Sequence, residues 1–269
     1  DMTHPHILHM ITPLKHVSPF DVNMALDAGY GHAVPYTDVE LKEVTGLIQD
    51  SIFSRGPQGA KRTGAFIGGR DAILALDMLD AARKAMVPPF EISVFADPAG
   101  SFTTAAAMVA CLEHQLAQMD AGGLSGRGIV VFGATGIVGF ASAVIAGQEG
   151  ARVVMAGYDG EKRVKARSEE AKERFGVDLE YADASSESLV SDLVRGAEVA
   201  LCAGRAGTQI LSREQIAGAD RLRVVADVNA VPPAGAEGVE VMDDGKPIEG
   251  SNAVGIGALA IGNVKYRVE

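Results

Sequence analysis

The chain has 269 residues, of which 47% are hydrophobic and only 5% are aromatic, and its formal net charge is −11. The acidic balance argues against a nucleic-acid partner, because a protein that binds phosphate backbones needs a positive field. No run approaches the roughly 18 apolar residues of a membrane span and no secretory signal is visible, so we expect a cytoplasmic protein with no membrane partner.

Strands and helices are predicted to alternate over the first hundred residues. Two helix starts carry capping signals, Ser18 with Asp21 and Thr37 with Glu40. The predicted strands are 6–12, 32–36, 63–67 and 91–96, and the predicted helices are 18–29, 37–51, 69–86 and 103–119.

A turn-rich break at 120–126 precedes a second alternation. Its predicted strands are 128–132, 151–156, 177–182, 197–202 and 222–227, and its predicted helices are 137–148, 160–175, 186–195 and 212–218. Such alternation indicates βαβ units and a mostly parallel sheet. We therefore predict an α/β fold of two parallel-sheet lobes with a cleft between them. Residues 1–104 would be the substrate domain and residues 105–269 a Rossmann-type dinucleotide-binding domain.

The most informative segment is a glycine-rich loop in the middle of the chain. An apolar strand leads into Gly133, Gly136 and Gly139, and a helix of small residues follows. Such a loop presents backbone N–H groups and a helix N-terminus to a pyrophosphate, although Ala134 replaces the first glycine of the usual pattern. Asp159 ends the next strand, where a carboxylate accepts hydrogen bonds from the adenosine ribose. The predicted cofactor contacts are Gly133, Ala134, Thr135, Gly136, Ile137, Val138 and Asp159, with Ala203, Asn229 and Gly257 at later strand ends.

The residues around Asp159 leave the choice between NAD and NADP open. Asp159 alone favours NAD, because a carboxylate repels a 2′-phosphate. Lys162 and Arg163 begin the following helix, where they either pair with that phosphate or are simply solvated, so dual use is expected. Tyr158 and Lys162 match the Tyr-x-x-x-Lys pair of short-chain dehydrogenases, but they lie at the adenosine end of the site and we do not assign that role.

Other polar residues follow strands of the first lobe, where the carboxyl ends of parallel strands line a ligand crevice. They are Lys15 and His16 after the first strand and Asp97, Ser101, Thr103 and Thr104 after the fourth, where one hydroxyl also suits a helix cap. Arg55, Lys61, Arg62 and Arg70 form a basic stretch that suits either a polyanionic substrate tail or a solvated loop. His4, His6 and His9 lack a carboxylate or Cys at ligand spacing, so no metal is expected. Cys111 and Cys202 are expected to be reduced core thiols.

Five segments together resemble the NAD(P)-dependent methylene-tetrahydromethanopterin dehydrogenases of methylotrophic bacteria. They are residues 7–21, 49–55, 94–104, 227–233 and 255–265, and the resemblance covers essentially the whole chain. It implies oxidation of methylene- to methenyl-tetrahydromethanopterin, with hydride passing to the nicotinamide, in one-carbon (formaldehyde oxidation) metabolism. It also implies a homo-oligomer, either a trimer or a hexamer.

The resemblance further implies roles for individual residues. It points to Asp21, Thr103 and Lys265 for catalysis, and to Lys15, His16, Asp97, Ser101 and Thr104 for pterin binding. Two alternatives are a methylene-tetrahydrofolate dehydrogenase of similar fold and a nucleotide-sensing protein without catalytic activity. The tetrahydrofolate enzyme often adds a cyclohydrolase activity that uses a Tyr-x-x-x-Lys pair on its first lobe. Residues 1–120 contain no such pair, so we predict no cyclohydrolase activity.

Overall fold

A computed structural model describes residues 4–120 and 122–269 of the chain. The chain divides into two compact units, residues 1–101 and 102–269. Each unit is built on its own sheet, and both sheets are largely parallel, which confirms the predicted α/β class. None of the helices in the described ranges is long and apolar enough to cross a membrane.

The first unit is a four-stranded parallel sheet in the order β2-β1-β3-β4. Its strands are β1 (Ile7–Ile11), β2 (His32–Tyr36), β3 (Thr63–Ile67) and β4 (Ser93–Ala96). Its helices are α1 (Pro19–Asp27), α2 (Val44–Phe53), α3 (Gly56–Ala60) and α4 (Ala72–Lys84). All five residues of β3 are buried, as expected for a central parallel strand that is covered on both faces.

The predicted position of the first cap in this unit is confirmed, since Ser18 is the N-cap of α1, and that of the second cap is wrong. Ser18 precedes α1, but its side chain makes no capping hydrogen bond. The second capping box joins Glu40 and Glu43, at a 3-10 turn over Leu41–Glu43, and does not involve Thr37. The physical reason is long-range: the N–H groups of Asp38 and Val39 donate to the carbonyls of Leu14 and Thr12 at 2.9 and 3.1 Å. These bonds tie the segment after β2 to the segment after β1, so the helix begins later.

The second unit is a seven-stranded sheet in the order β10-β11-β9-β8-β5-β6-β7, in which only β10 runs antiparallel. Its strands are β5 (Gly128–Phe132), β6 (Arg152–Gly157), β7 (Glu180–Asp183), β8 (Val199–Cys202), β9 (Val224–Asp227), β10 (Asp244–Pro247) and β11 (Val254–Ile256). Its helices are α5 (Ser101–Asp120), α6 (Ile137–Gln148), α7 (Glu161–Phe175), α8 (Glu187–Gly196), α9 (Arg213–Ala217) and α10 (Ala258–Val268).

The strand order places a topological switch point between β5 and β8. From β5 the chain moves outward through β6 and β7, then returns to β8 on the other side of β5 and moves outward through β9. Ligands of open α/β sheets bind at the carboxyl ends of the strands beside such a reversal. The two cysteines lie away from solvent as free thiols, which confirms that prediction.

Candidate active site

Two glycines of the loop after β5 are required by the fold itself. Gly133 has a φ of +75°, and a Cβ built on it would lie 2.2 Å from the carbonyl oxygen of Ala203. A Cβ built on Gly139 would lie 2.2 Å from the carbonyl oxygen of Gly133. Separations this short exclude any side chain, so these glycines allow the loop to pack directly against α6 and the segment after β8.

Gly136, by contrast, has no close neighbour in the fold. It is the N-cap of α6, it is exposed, and no side chain caps the helix there. A Cβ on Gly136 would come no closer than 3.4 Å to the rest of the protein, at the carbonyl oxygen of Gly133. The first turn of a helix has N–H groups without intrahelical partners and a positive dipole end, which together favour an anion. The fold therefore has room for a side chain at Gly136, and with glycine there the helix N-terminus is left open to an anion.

A cavity of about 1310 Å³ opens beside this loop, within the second unit. The volume exceeds the usual range for small-molecule pockets and is sufficient for a dinucleotide. Its walls come from the carboxyl ends of β5, β6 and β8, from the segment after β7 and from the loop after β8. The lining includes Gly133, Thr135, Gly136, Tyr158, Arg163, Ser185, Ser186, Ala203, Arg205, Thr208 and Ile210.

Asp159 and Arg163 form an ion pair in the turn that follows β6. The Nη1 of Arg163 lies 3.2 Å from Oδ2 of Asp159 and also donates to the Tyr158 hydroxyl at 3.1 Å. All three side chains are exposed, as is Lys162 beside them, and Tyr158 and Arg163 line the cavity. Exposed ion pairs contribute only about 0–1 kcal/mol, so a ligand can replace either partner at little cost.

The three predicted contacts at later strand ends have different surroundings. Ala203 lines the cavity. The side chain of Asn229 is engaged by backbone groups: its Oδ1 accepts from Val231 and Gly207 at 2.9 and 3.3 Å, and its Nδ2 donates to the Pro233 carbonyl at 2.8 Å. Gly257 is the N-cap of α10, and a Cβ there would lie 2.0 Å from the carbonyl oxygen of Glu240.

Polar residues of the first unit gather at the carboxyl edge of its sheet. Backbone hydrogen bonds continue the ladder past the strand ends, from Gly68 to the Ile11 carbonyl at 2.9 Å and from Asp97 to the Ile67 carbonyl at 3.0 Å. The carboxylate of Asp21 reaches this edge, since a Cβ on Gly68 would lie 3.9 Å from its Oδ2. Asp21 and Asp97 are 7% and 0% exposed. The edge therefore holds two buried carboxyl groups.

The remaining predicted substrate residues are distributed over both units. Lys15 and His16 are exposed in the turn after β1. Ser101 is the last residue of the first unit and begins α5, where Thr103 is buried and Thr104 half-buried. Lys265 lies on α10, where it pairs with Glu269 one turn later.

The basic stretch fits neither of the two interpretations in full. Arg55 donates to the Pro5 carbonyl at 2.8 Å, and Arg62 donates to the His4 carbonyl at 3.1 Å. These two side chains tie the segment before β1 to the first unit, while Lys61 and Arg70 are exposed. Among residues 4–120 and 122–269, no group of three or more His, Cys, Asp or Glu side chains could hold a metal ion.

Sequence reasoning did not single out several residues at these edges. Ser185 and Ser186 line the cavity, and Ser186 also caps α8 by accepting from Leu189 at 3.3 Å. The strand-to-helix transition at this point was a usable signal, because it places the segment at the same edge as the glycine loop. Asp227 lies in the resembling segment 227–233 but was not predicted as a site residue, although it is 2% exposed at the end of β9.

The sequence is similar to that of known dehydrogenases. Residues 19–99 match a family described as "Methylene-tetrahydromethanopterin dehydrogenase, N-terminal". Over 263 residues the chain is 52% identical to the NAD(P)-dependent methylenetetrahydromethanopterin dehydrogenase of Methylorubrum extorquens, which covers 98% of this chain and 89% of that protein. It is 33% identical over 251 residues to the bifunctional protein MdtA of the same organism, covering 93% and 85% of the two chains.

Solved structures with little sequence similarity share the fold. Shikimate 5-dehydrogenase from Listeria monocytogenes aligns with a TM-score of 0.57 at 13% identity, over 98% of this chain and 89% of that one. Ornithine carbamoyltransferase from Pyrococcus furiosus aligns with a TM-score of 0.55 at 14% identity, over 99% and 84%. At such identities the likeness concerns the fold alone.

Proposed function

Because this chain belongs to the family of NAD(P)-dependent methylenetetrahydromethanopterin dehydrogenases, we propose that it oxidises methylene-tetrahydromethanopterin to its methenyl form in one-carbon metabolism. The observation that carries the proposal is 52% identity across 98% of the chain. The tetrahydrofolate alternative is not favoured, since the relative is named for tetrahydromethanopterin, and no cyclohydrolase activity is indicated.

The second unit fits the cofactor that this activity needs. When bound, NAD or NADP supplies the acceptor for the hydride. The backbone of residues 133–138 and the N-terminus of α6 would hold the pyrophosphate, because there the glycine loop and a helix N-terminus without a side-chain cap meet the cavity wall. Asp159 would accept hydrogen bonds from the adenosine ribose, and Arg163 and Lys162 would pair with a 2′-phosphate.

The reaction does not require a general base. The substrate carbon that loses hydride lies between two nitrogen atoms, whose lone pairs share the positive charge that develops. No proton has to leave in that step, so the protein contributes position and electrostatics. We assign Asp21 to the stabilisation of the developing charge and Asp97 to the pterin ring N–H groups. Lys15, His16, Ser101 and Thr104 would bind the pterin or its anionic tail, and Thr103 and Lys265 would complete the catalytic set.

The location and assembly of the enzyme are part of the same proposal. We infer a cytoplasmic homo-oligomer, a trimer or a hexamer, on the resemblance of the sequence segments given above. Light scattering after size-exclusion chromatography gives the mass of the assembly directly. A monomer at micromolar concentration would contradict this part of the proposal.

A direct assay tests the activity. The purified protein is mixed with methylene-tetrahydromethanopterin and either NAD⁺ or NADP⁺, and the absorbances of the reduced cofactor and the methenyl product are followed. We expect turnover with both cofactors. Turnover with methylene-tetrahydrofolate alone would establish the alternative enzyme, and NADH binding without turnover of either pterin would indicate a sensor.

The Asp159–Arg163 pair is expected to set cofactor choice. In Asp159→Ala, kcat/KM for NAD⁺ should fall about tenfold or more and that for NADP⁺ should fall less, because the ribose loses its acceptor while repulsion of the phosphate disappears. In Arg163→Ala the order should reverse, because the charge that pairs with the 2′-phosphate is lost. Steady-state kinetics with both cofactors measure the two ratios.

Lys165→Ala is the matched control for Arg163→Ala. Lys165 is exposed on the same helix, and its loss removes the same charge without touching the turn after β6. Its ratio of the two efficiencies should stay within about twofold of wild type, since solvent screens an exposed charge at this distance. Equal losses for both cofactors in Asp159→Ala would show that Asp159 does not discriminate between them.

A further inference from the structure

A buried carboxylate organises the loop that follows β9. Oδ1 of Asp227 accepts from the N–H of Asn229 at 2.9 Å, and Oδ2 accepts from the N–H of Ala236 at 3.1 Å. The N–H of Gly235 is a third backbone donor to the same carboxylate. One side chain therefore binds both ends of the segment 229–236.

The sequence of this loop suits that close approach. A Cβ on Gly235 would lie 2.7 Å from Oδ1 of Asp227, so a side chain there would displace the carboxylate. Burial raises the pKa of the Asp227 carboxyl, and the three backbone N–H groups oppose that shift. A carboxylate that accepts from buried N–H groups is costly to remove, because each N–H group would lose this acceptor in a water-poor site.

The loop after β9 is also hydrogen-bonded to the segment that forms one wall of the cofactor cavity. The carbonyl of Gly235 accepts from the N–H groups of Ile210 and Leu211 at 2.7 and 3.0 Å. Oδ1 of Asn229 accepts from the N–H of Gly207 at 3.3 Å. Residues 203–205 and 208–210 line the cavity. The segment after β8 is thus hydrogen-bonded to the segment after β9, and the segment after β9 is in turn hydrogen-bonded to Asp227.

We propose that Asp227 is a positioning residue for the dinucleotide: it fixes segment 229–236, and through it segment 203–210, in the conformation that forms one wall of the cofactor cavity. Asp227 acts through these backbone contacts and is not itself part of the cavity lining. Without it, both segments must be ordered at the expense of binding energy when the cofactor enters. The inference rests on the proposed function, since it takes the cavity to be the dinucleotide site.

Asp227→Asn tests this proposal with almost no change in side-chain volume. A carboxamide nitrogen cannot accept a hydrogen bond, so at least one backbone N–H loses its acceptor. We expect the Kd for NADH, measured by the fluorescence of the bound reduced nicotinamide, and the KM for NAD⁺ to rise about tenfold. The KM for methylene-tetrahydromethanopterin should stay within about twofold of wild type, and this difference separates cavity positioning from a general loss of structure.

Glu198→Gln is the matched control. Glu198 also accepts from a backbone N–H, that of Gly128 at 3.4 Å, and pairs with Arg127 at 3.0 Å, but it lies at the amino ends of the strands of the same sheet. This variant should lower the Tm and leave the Kd for NADH within about twofold. A Kd for Asp227→Asn within twofold of wild type, or an equal rise in Glu198→Gln, would overturn the proposal.

A second variant covers the case in which Asp227→Asn does not fold. Asn229→Leu keeps the approximate size of the side chain and removes the contacts to Gly207 and Pro233. It should weaken NADH binding in the same direction with the pterin KM unchanged, and an unchanged Kd would contradict the proposed chain of contacts. If wild type binds NADH but turns over no pterin, the proposed activity fails while the role of Asp227 remains measurable by Kd.

Discussion

Gly136→Ala is expected to weaken NADH binding about a hundredfold while the free energy of unfolding falls by no more than about 1 kcal/mol. The nearest protein atom to the added methyl group would be 3.4 Å away, which the fold accommodates. The φ of −78° is also ordinary for alanine. A pyrophosphate at the N-terminus of α6, however, needs the space that this methyl group would occupy. Fluorescence titration with NADH and denaturant unfolding measure the two quantities separately.

Gly139→Ala and Gly196→Ala are the controls for Gly136→Ala. Gly139→Ala would place a methyl group 2.2 Å from the carbonyl of Gly133, so that variant should be destabilised by about 1–3 kcal/mol or more as well as bind poorly. Gly196→Ala, at the end of α8 with no atom within 4 Å, should change neither quantity appreciably. NADH binding by Gly136→Ala at wild-type affinity would place the pyrophosphate elsewhere.

Asp21→Asn is expected to lower kcat by about 100- to 1000-fold with little change in the Kd for NADH. The carboxylate is 7% exposed at the carboxyl edge of the first sheet, where little water screens its charge. If it stabilises the positive charge that spreads over the two substrate nitrogens, its neutral isostere loses that interaction mainly in the transition state. Steady-state kinetics give kcat, and NADH titration reports on the second unit alone.

Asp27→Asn is the control for Asp21→Asn because Asp27 lies on the same helix and is exposed. Both variants lose one negative charge from α1. In Asp21→Asn that charge lies in the first turn of the helix, so its loss should also lower the free energy of unfolding by about 0.3–1 kcal/mol. Asp27→Asn should retain wild-type kcat. A wild-type kcat in Asp21→Asn would remove this carboxylate from the catalytic set.

The glycine loop and its flanking elements could be predicted closely, because their signals are local. The bounds of β5 and α6 are the predicted ones, as are those of β3. A run of β-branched residues before a glycine predicts a buried parallel strand, and small residues after it predict a closely packed helix. β10 escaped prediction because its four residues, Asp244–Pro247, are mostly polar and carry no alternation.

Hydrogen bonds between distant residues could not be predicted in the same way. Arg55 belongs to a stretch that could suit a substrate tail, yet one of its side-chain donors binds the carbonyl of Pro5, 50 residues earlier. The helical segment predicted from residue 37 begins later in the structure, because the N–H groups of Asp38 and Val39 donate to backbone carbonyls in the segment after β1. In both cases the residue type agrees with several partners, and only the fold brings one of them within reach.

The sequence by itself determined the α/β class, the position of the glycine loop and the resemblance to a dehydrogenase family, since these depend on local periodicity, glycine spacing and long matching segments. Only the tertiary structure decided what the polar side chains contact. Asn229 was expected from the sequence to contact the cofactor, but its side chain joins the loop after β8 to the loop after β9. Asp227 binds backbone N–H groups at both ends of the loop after β9. A hydrogen bond needs a partner about 3 Å away in a favourable direction, and strands that are distant in sequence supply that partner only once they lie side by side.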